Sequence, residues 1–196
     1  MQACRLALSD LSCRRGDRVL FRGLNCALSS GDALHVAGSN GIGKSSLIRI
    51  AAGLLPAYAG TVFSQGTIAL LDERPALDPH QPLDQALAFW AALDGVDHAS
   101  RDRIATQLGL LELRDVPFRY LSTGQRKRAA LARLLGQRAE IWLLDEPLNG
   151  LDTAAVKMVE GLIAAHCQAG GIALVASHQP IALPGSRRID LAGYQA

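Results

Sequence analysis

Eight consecutive residues, Gly38-Ser39-Asn40-Gly41-Ile42-Gly43-Lys44-Ser45, limit what this chain can become more than any other stretch. Glycines at the first, fourth and sixth places let the backbone turn tightly and leave its N–H groups uncovered by any Cβ. The apolar run Leu34, Val36, Ala37 ahead of them reads as a buried strand, and 46–52 behind them reads as a helix. A glycine-rich turn between a buried strand and a helix N-terminus gathers amide dipoles around one point, so it predicts a phosphate-binding loop.

The residue types after the glycines suit a nucleoside triphosphate. Lys44 supplies a point charge for the β- and γ-phosphates, and the Ser45 hydroxyl suits a Mg²⁺ ion bridging them. Lysine occurs only at Lys44, Lys127 and Lys157, while arginine is abundant, and one of the three falls where the pattern needs it. The loop-lining residues are therefore Gly38, Ser39, Asn40, Gly41, Ile42, Gly43, Lys44, Ser45 and the first helical residue, Ser46.

Composition narrows the setting. With 196 residues, 49% hydrophobic and 19% charged, the chain has enough material for one core, and a single domain over 1–196 is expected. A net charge of +2 with dispersed arginines gives no reason to expect a nucleic-acid partner. Cys4, Cys13, Cys26 and Cys167 lack metal-ligand spacing and read as reduced thiols partly in the core. Neither a leader pattern nor a run of roughly 20 apolar residues appears, so a cytoplasmic location is expected, with any membrane role exerted by docking on other chains.

Taken in order, Leu6, Leu8 and Leu11, then Arg18 to Phe21 and Leu24 to Leu28, read as an antiparallel β layer. This layer should face the nucleotide base. No aromatic stands near Arg14, Arg15 and Gly16, so Arg15 is the candidate to stack its guanidinium on the base, with a solvated turn arginine as the plain alternative. Strands are predicted at Thr61 to Phe63 and Thr67 to Leu71. From Pro75 to Leu113 helical spacing takes over, with Leu83, Ala86, Leu87, Trp90 and Leu93 on one face and a second helix over about 99–111. A helical lobe over about 75–125, inserted in the α/β core, follows from this change of period.

Leu121-Ser122-Thr123-Gly124-Gln125 opens a helix predicted over 126–137, a second helix N-terminus suited to an anion. Ile141-Trp142-Leu143-Leu144 then reads as a buried strand ending in Asp145 and Glu146, placed to hold the Mg²⁺ shell and to polarise a water toward the γ-phosphate. After a helix from Leu151-Asp152 to about Cys167, the strand 172–176 delivers Ser177-His178 to the carboxyl end of the sheet. Ligands bind at that end in such sheets, so His178 is expected to meet the γ-phosphate.

In order and spacing, 38–45, Leu121 to Gln125, Leu144 to Pro147, Leu151-Asp152 and His178 resemble the Walker A, signature, Walker B, D-loop and H-loop of ABC-transporter ATPase subunits. The resemblance implies a P-loop α/β fold with a mixed central sheet, an N-terminal antiparallel β layer and the inserted helical lobe. It also implies ATP and Mg²⁺ as cofactors and a head-to-tail homodimer. In that dimer Ser122, Gly124 and Gln125 of one copy would close over the nucleotide of the other, beside Asp152.

Narrower features, Cys13 to Gly16, Val19 to Leu24, Gly43 to Leu54 and Ser177-His178-Gln179-Pro180, together with the short tail after Asp190-Leu191, look like the haem-exporter ATPases of bacterial cytochrome c maturation. That resemblance implies integral-membrane partner subunits and a peripheral position on the cytoplasmic face of the bacterial inner membrane. The chain departs from the family pattern at Thr123, at Asn149-Gly150 and at Arg74, where glutamine is usual. Slow or coupled hydrolysis is the expectation, with the ATPase of another ABC exporter or a non-hydrolysing ATP sensor as alternatives.

Overall fold

The computed structural model describes residues 4–183 and 185–195. The chain divides into two compact units, one built from 1–72, 139–148 and 155–196 and the other from 73–138 and 149–154. The second unit thus runs past the stretch where helical spacing begins, because the helix after Ser122 packs on the two helices before it.

In the first unit, β1 (Arg5–Arg15), β2 (Arg18–Ser29) and β4 (Ala59–Gln65) form an antiparallel sheet in the order β2-β1-β4. The two apolar runs expected after Arg18 are one continuous strand. Leu6, Leu8, Leu11 and Cys13 all point into the core, although the step from Leu8 to Leu11 breaks a period of two. A bulge absorbs the extra residue: pairing shifts between Leu8 and Leu11, and Asp10 takes φ 49°. Asn25 holds this bulge, its Oδ1 accepting the Asp10 N–H at 2.9 Å and its Nδ2 donating to Asp10 Oδ1 at 3.1 Å.

Five strands make the second sheet: β3 (Ala33–Ala37), β5 (Ile68–Leu71), β6 (Ile141–Asp145), β7 (Ile172–Ala176) and β8 (Arg187–Asp190), in the order β5-β6-β7-β3-β8. Every pairing in it is parallel. The anticipated mixture of strand directions is therefore distributed over two sheets rather than within one. β3, β6 and β7 are buried along their whole length, as their mostly apolar runs require, with His35 in β3 and Asp145 at the end of β6 as buried polar residues. Between the sheets lies α1 (Lys44–Ala51), whose Leu47 and Ile48 are fully buried among Leu6, Phe21, Val36, Leu143 and Leu174. All four cysteines are free; burial raises the thiol pKa values of Cys13, Cys26 and Cys167, which keeps these groups unreactive.

The second unit holds α2 (Leu83–Leu93), α3 (His98–Gln107) and α4 (Thr123–Gly136). α3 stops earlier than its sequence spacing suggests because Gly109, at φ 62°, turns the chain before a short 3-10 turn at Leu111–Leu113. The Arg133 guanidinium covers the Trp90 ring at 3.7 Å, so Trp90 is a packing residue, while Phe89 beside it is 58% exposed. α5 (Thr153–Gln168) begins two residues after Leu151 and runs back into the first unit. There His166 stacks on Trp142 with ring centroids 3.9 Å apart and planes 6° from parallel. Gly171 makes this possible, since a Cβ there would lie 2.2 Å from the His166 Nε2.

Candidate active site

The loop after β3 needs its glycines. Gly38, Gly41 and Gly43 adopt φ of 151°, 78° and 120°, and a Cβ on Gly43 would stand 3.1 Å from Phe21 Cδ1 and 3.2 Å from Leu20 Cβ. The loop is therefore seated directly on β2. Ser39, Asn40 and Gly41 are exposed at its crest, whereas the Ile42 side chain is buried in the core, which leaves only its backbone to face a ligand. Ser45 and Ser46 are half-buried in the first turn of α1.

Lys44 is 5% exposed and folds back over the loop, donating from Nζ to Gly38 O at 2.7 Å and Ser39 O at 3.1 Å. It also pairs with Glu146 Oε1 at 3.2 Å. A buried ammonium is thus satisfied by two carbonyls and a carboxylate, all of which phosphate oxygens can replace.

Glu146 follows directly on β6 and takes φ 47°, a left-handed conformation unusual for a side chain of its size. The one signal for this in the sequence is Pro147, since a residue before proline is pushed away from the right-handed helical region. Its N–H donates to Ala176 O at 2.8 Å. Its carboxylate accepts from the His178 N–H at 3.2 and 3.4 Å and contacts His178 Nδ1 at 2.9 Å. A carboxylate can only accept, so Nδ1 carries the proton and Nε2 is the ring nitrogen left for another partner. Asp145, 1% exposed, closes β6 beside it.

Lys44, Asp145, Glu146 and His178, separated by up to 134 positions in sequence, thus meet at the carboxyl ends of β3, β6 and β7. The Asp145 carboxylate and the Ser45 hydroxyl are hard oxygen donors of the kind Mg²⁺ takes. Among the described residues no group of three or more His, Cys, Asp or Glu forms a metal cage. That donor set fits an ion shared with phosphate oxygens rather than one enclosed by protein.

The other expected residues belong to the second unit or to the sheet edge. Ser122 caps α4, its Oγ accepting the Gln125 N–H at 3.3 Å while Gln125 Oε1 accepts the Ser122 N–H at 2.8 Å. Both side chains and the Gln125 N–H are spent on this reciprocal cap, which leaves the Thr123 and Gly124 amides of the first turn to face a ligand. Gly124 abuts the D-loop segment, where its Cβ would stand 3.2 Å from Gly150 O; Asp152 is exposed just before α5. Arg15 ends β1 exposed, and its neighbour Arg14 stacks on Tyr58 at 4.7 Å, a pairing not foreseen because Tyr58 is brought in from beyond α1. Arg74 is exposed in the second unit.

The chain is similar to known proteins along its whole length. Residues 21–149 match the ABC transporter family model. The chain is 55% identical over 195 residues to the cytochrome c biogenesis ATP-binding export protein CcmA of Novosphingobium aromaticivorans, covering 100% of both chains. It is 53% identical to the protein of that description from Sphingopyxis alaskensis, over 91% of this chain and 92% of that one. Among solved structures, an ABC transporter ATP-binding protein from Pyrococcus furiosus superposes with a TM-score of 0.86 over 98% of this chain and 100% of that one; at 23% identity this shows the common fold alone.

Proposed function

The chain belongs to the ABC transporter family, among the cytochrome c biogenesis ATP-binding export proteins, and from that premise we propose that it hydrolyses ATP as the peripheral subunit of a cytochrome c maturation complex at the cytoplasmic face of the inner membrane. Among the described residues no helix is long and apolar enough to cross a membrane, so attachment falls to integral-membrane partners. The cargo in this reading is haem or a haem-loaded chaperone.

The observation that carries the proposal is the meeting of Lys44, Glu146 and His178 within 3.2 Å contacts at one sheet edge. Lys44 exchanges its loop carbonyls for β- and γ-phosphate oxygens, and the loop amides from Gly38 to Ser46 hold the remaining phosphate charge. Glu146 accepts the proton of a water that attacks the γ-phosphorus as the bond to the β–γ bridging oxygen breaks, giving ADP and phosphate. His178 fixes the Glu146 carboxylate through Nδ1 and turns Nε2 toward the γ-phosphate. Ser45 and Asp145 would hold Mg²⁺, which supplies charge neutralisation of the phosphates when bound.

In a head-to-tail homodimer, the first-turn amides behind Ser122, Gly124 and Gln125 of one copy would cover the nucleotide of the other, with Asp152 beside them. Arg15 serves the base. The test is Mg²⁺-dependent ATP hydrolysis by the complex co-purified with its cytochrome c maturation membrane subunits. Wild type should turn over, and Glu146→Gln should bind ATP without turnover. Arg74, at the place where glutamine is usual, favours a second reading as an ATP sensor; a wild-type complex no faster than the Glu146→Gln complex would select it.

A further inference from the structure

His35 lies in the middle of β3, 6% exposed, and none of the chemistry above uses it. Its Nε2 stands 3.1 Å from Ser177 O. A carbonyl oxygen only accepts, so Nε2 bears the proton. Ser177 is fully buried, and its N–H already donates to Val36 O at 3.1 Å. The residue that leaves β7 is therefore gripped by β3 at both backbone groups.

What this grip controls follows from the planarity of the peptide. The Ser177 C=O and the His178 N–H belong to one peptide unit, and among the described residues no peptide bond is cis, so the two point in opposite directions. The C=O faces His35; the N–H faces the Glu146 carboxylate at 3.2 and 3.4 Å. His35 and Glu146 pull on the two ends of a single dipole. Rotation of that peptide would release the N–H from Glu146 and swing the His178 ring, whose Nδ1 is the second donor on the same carboxylate.

We propose that His35 is a positioning residue for hydrolysis: by holding the Ser177–His178 peptide through Ser177 O, it sets the orientation of the Glu146 carboxylate and the His178 ring. It does not touch nucleotide. This inference rests on the reading of Glu146 and His178 given above.

The test compares His35→Leu, His35→Asn and His35→Gln in the complex with its membrane subunits, with wild type and Glu146→Gln alongside. Glutamine carries an N–H at the reach of Nε2, asparagine does not, and leucine has none. Loss of one well-placed hydrogen bond predicts a kcat lower by about tenfold in His35→Leu and His35→Asn, with the KM for ATP changed less than about twofold. His35→Gln should recover most of the wild-type kcat. If the leucine variant does not fold, the asparagine and glutamine pair decides. Wild-type kcat in the asparagine variant, no advantage of glutamine over asparagine, or a change confined to KM would each overturn the proposal. Absence of turnover in wild type itself would instead overturn the reading on which it rests.

Discussion

Lys44 and Glu146 form an ion pair with both partners buried, and neither charge has ready access to water. Removing one partner strands the other, which is the costly way to break such a pair. Lys44→Met is expected to destabilise the protein by about 3 kcal/mol and to abolish ATP binding. The double variant with Glu146→Gln should recover at least about 1 kcal/mol relative to the sum of the single changes. Chemical denaturation of the four proteins in the cycle measures this, and additive single effects would mean that the contact contributes no stability. The residue types at these positions were legible in the sequence because the loop pattern names the lysine and the strand end names the carboxylates. Their contact was not, since it depends on β3 and β6 flanking β7.

Among the elements, β1 is the one whose sequence pattern and structure differ most usefully. Its apolar residues change face between Leu8 and Leu11, and the bulge at Asp10 restores them to the core. β4 passes this bulge at Gly60, which has φ 84° and whose Cβ would lie 2.4 Å from the carbonyl oxygens of both Ser9 and Asp10. Gly60→Ala should therefore cost more than about 2 kcal/mol, combining left-handed strain with a backbone clash. Gly53→Ala, at φ 74° with nothing within 4 Å of its Cβ, carries the strain alone and should cost less. Equal melting temperatures for the two variants would show that β4 can move off the bulge. Helices α2 and α4 were readable from periodicity, whereas the end of α3 was misplaced because Gly109 outweighs the apolar residues beyond it.

At the scale of the whole molecule, the first unit closes around α1 between two sheets, and His166 ties α5 to that body through Trp142 and Ile172 O at 3.2 Å. Burial, opposed by its backbone hydrogen bonds, holds the His166 imidazole below its ordinary pKa. The unfolded chain then binds a proton more readily than the folded one, so stability rises with pH. The contribution is fully present above the unfolded value of about 6.5 and is lost as pH falls through the lower folded value. His166→Phe keeps a flat ring on Trp142 and removes the titration. Its melting temperature should fall less than that of wild type between about pH 6.5 and pH 5, and parallel profiles would place the acid sensitivity elsewhere. The amino-acid sequence by itself determined the phosphate loop, the buried parallel strands, the carboxylate-tipped strand and the helical stretch, because each is written in local backbone preference or in the period of apolar residues. Only the tertiary structure decided that Lys44 crosses to Glu146, that His178 faces that carboxylate through Nδ1, and that His35 reaches Ser177. Those contacts join residues 32 to 142 positions apart, and strand order, which no local pattern encodes, is what brings them together.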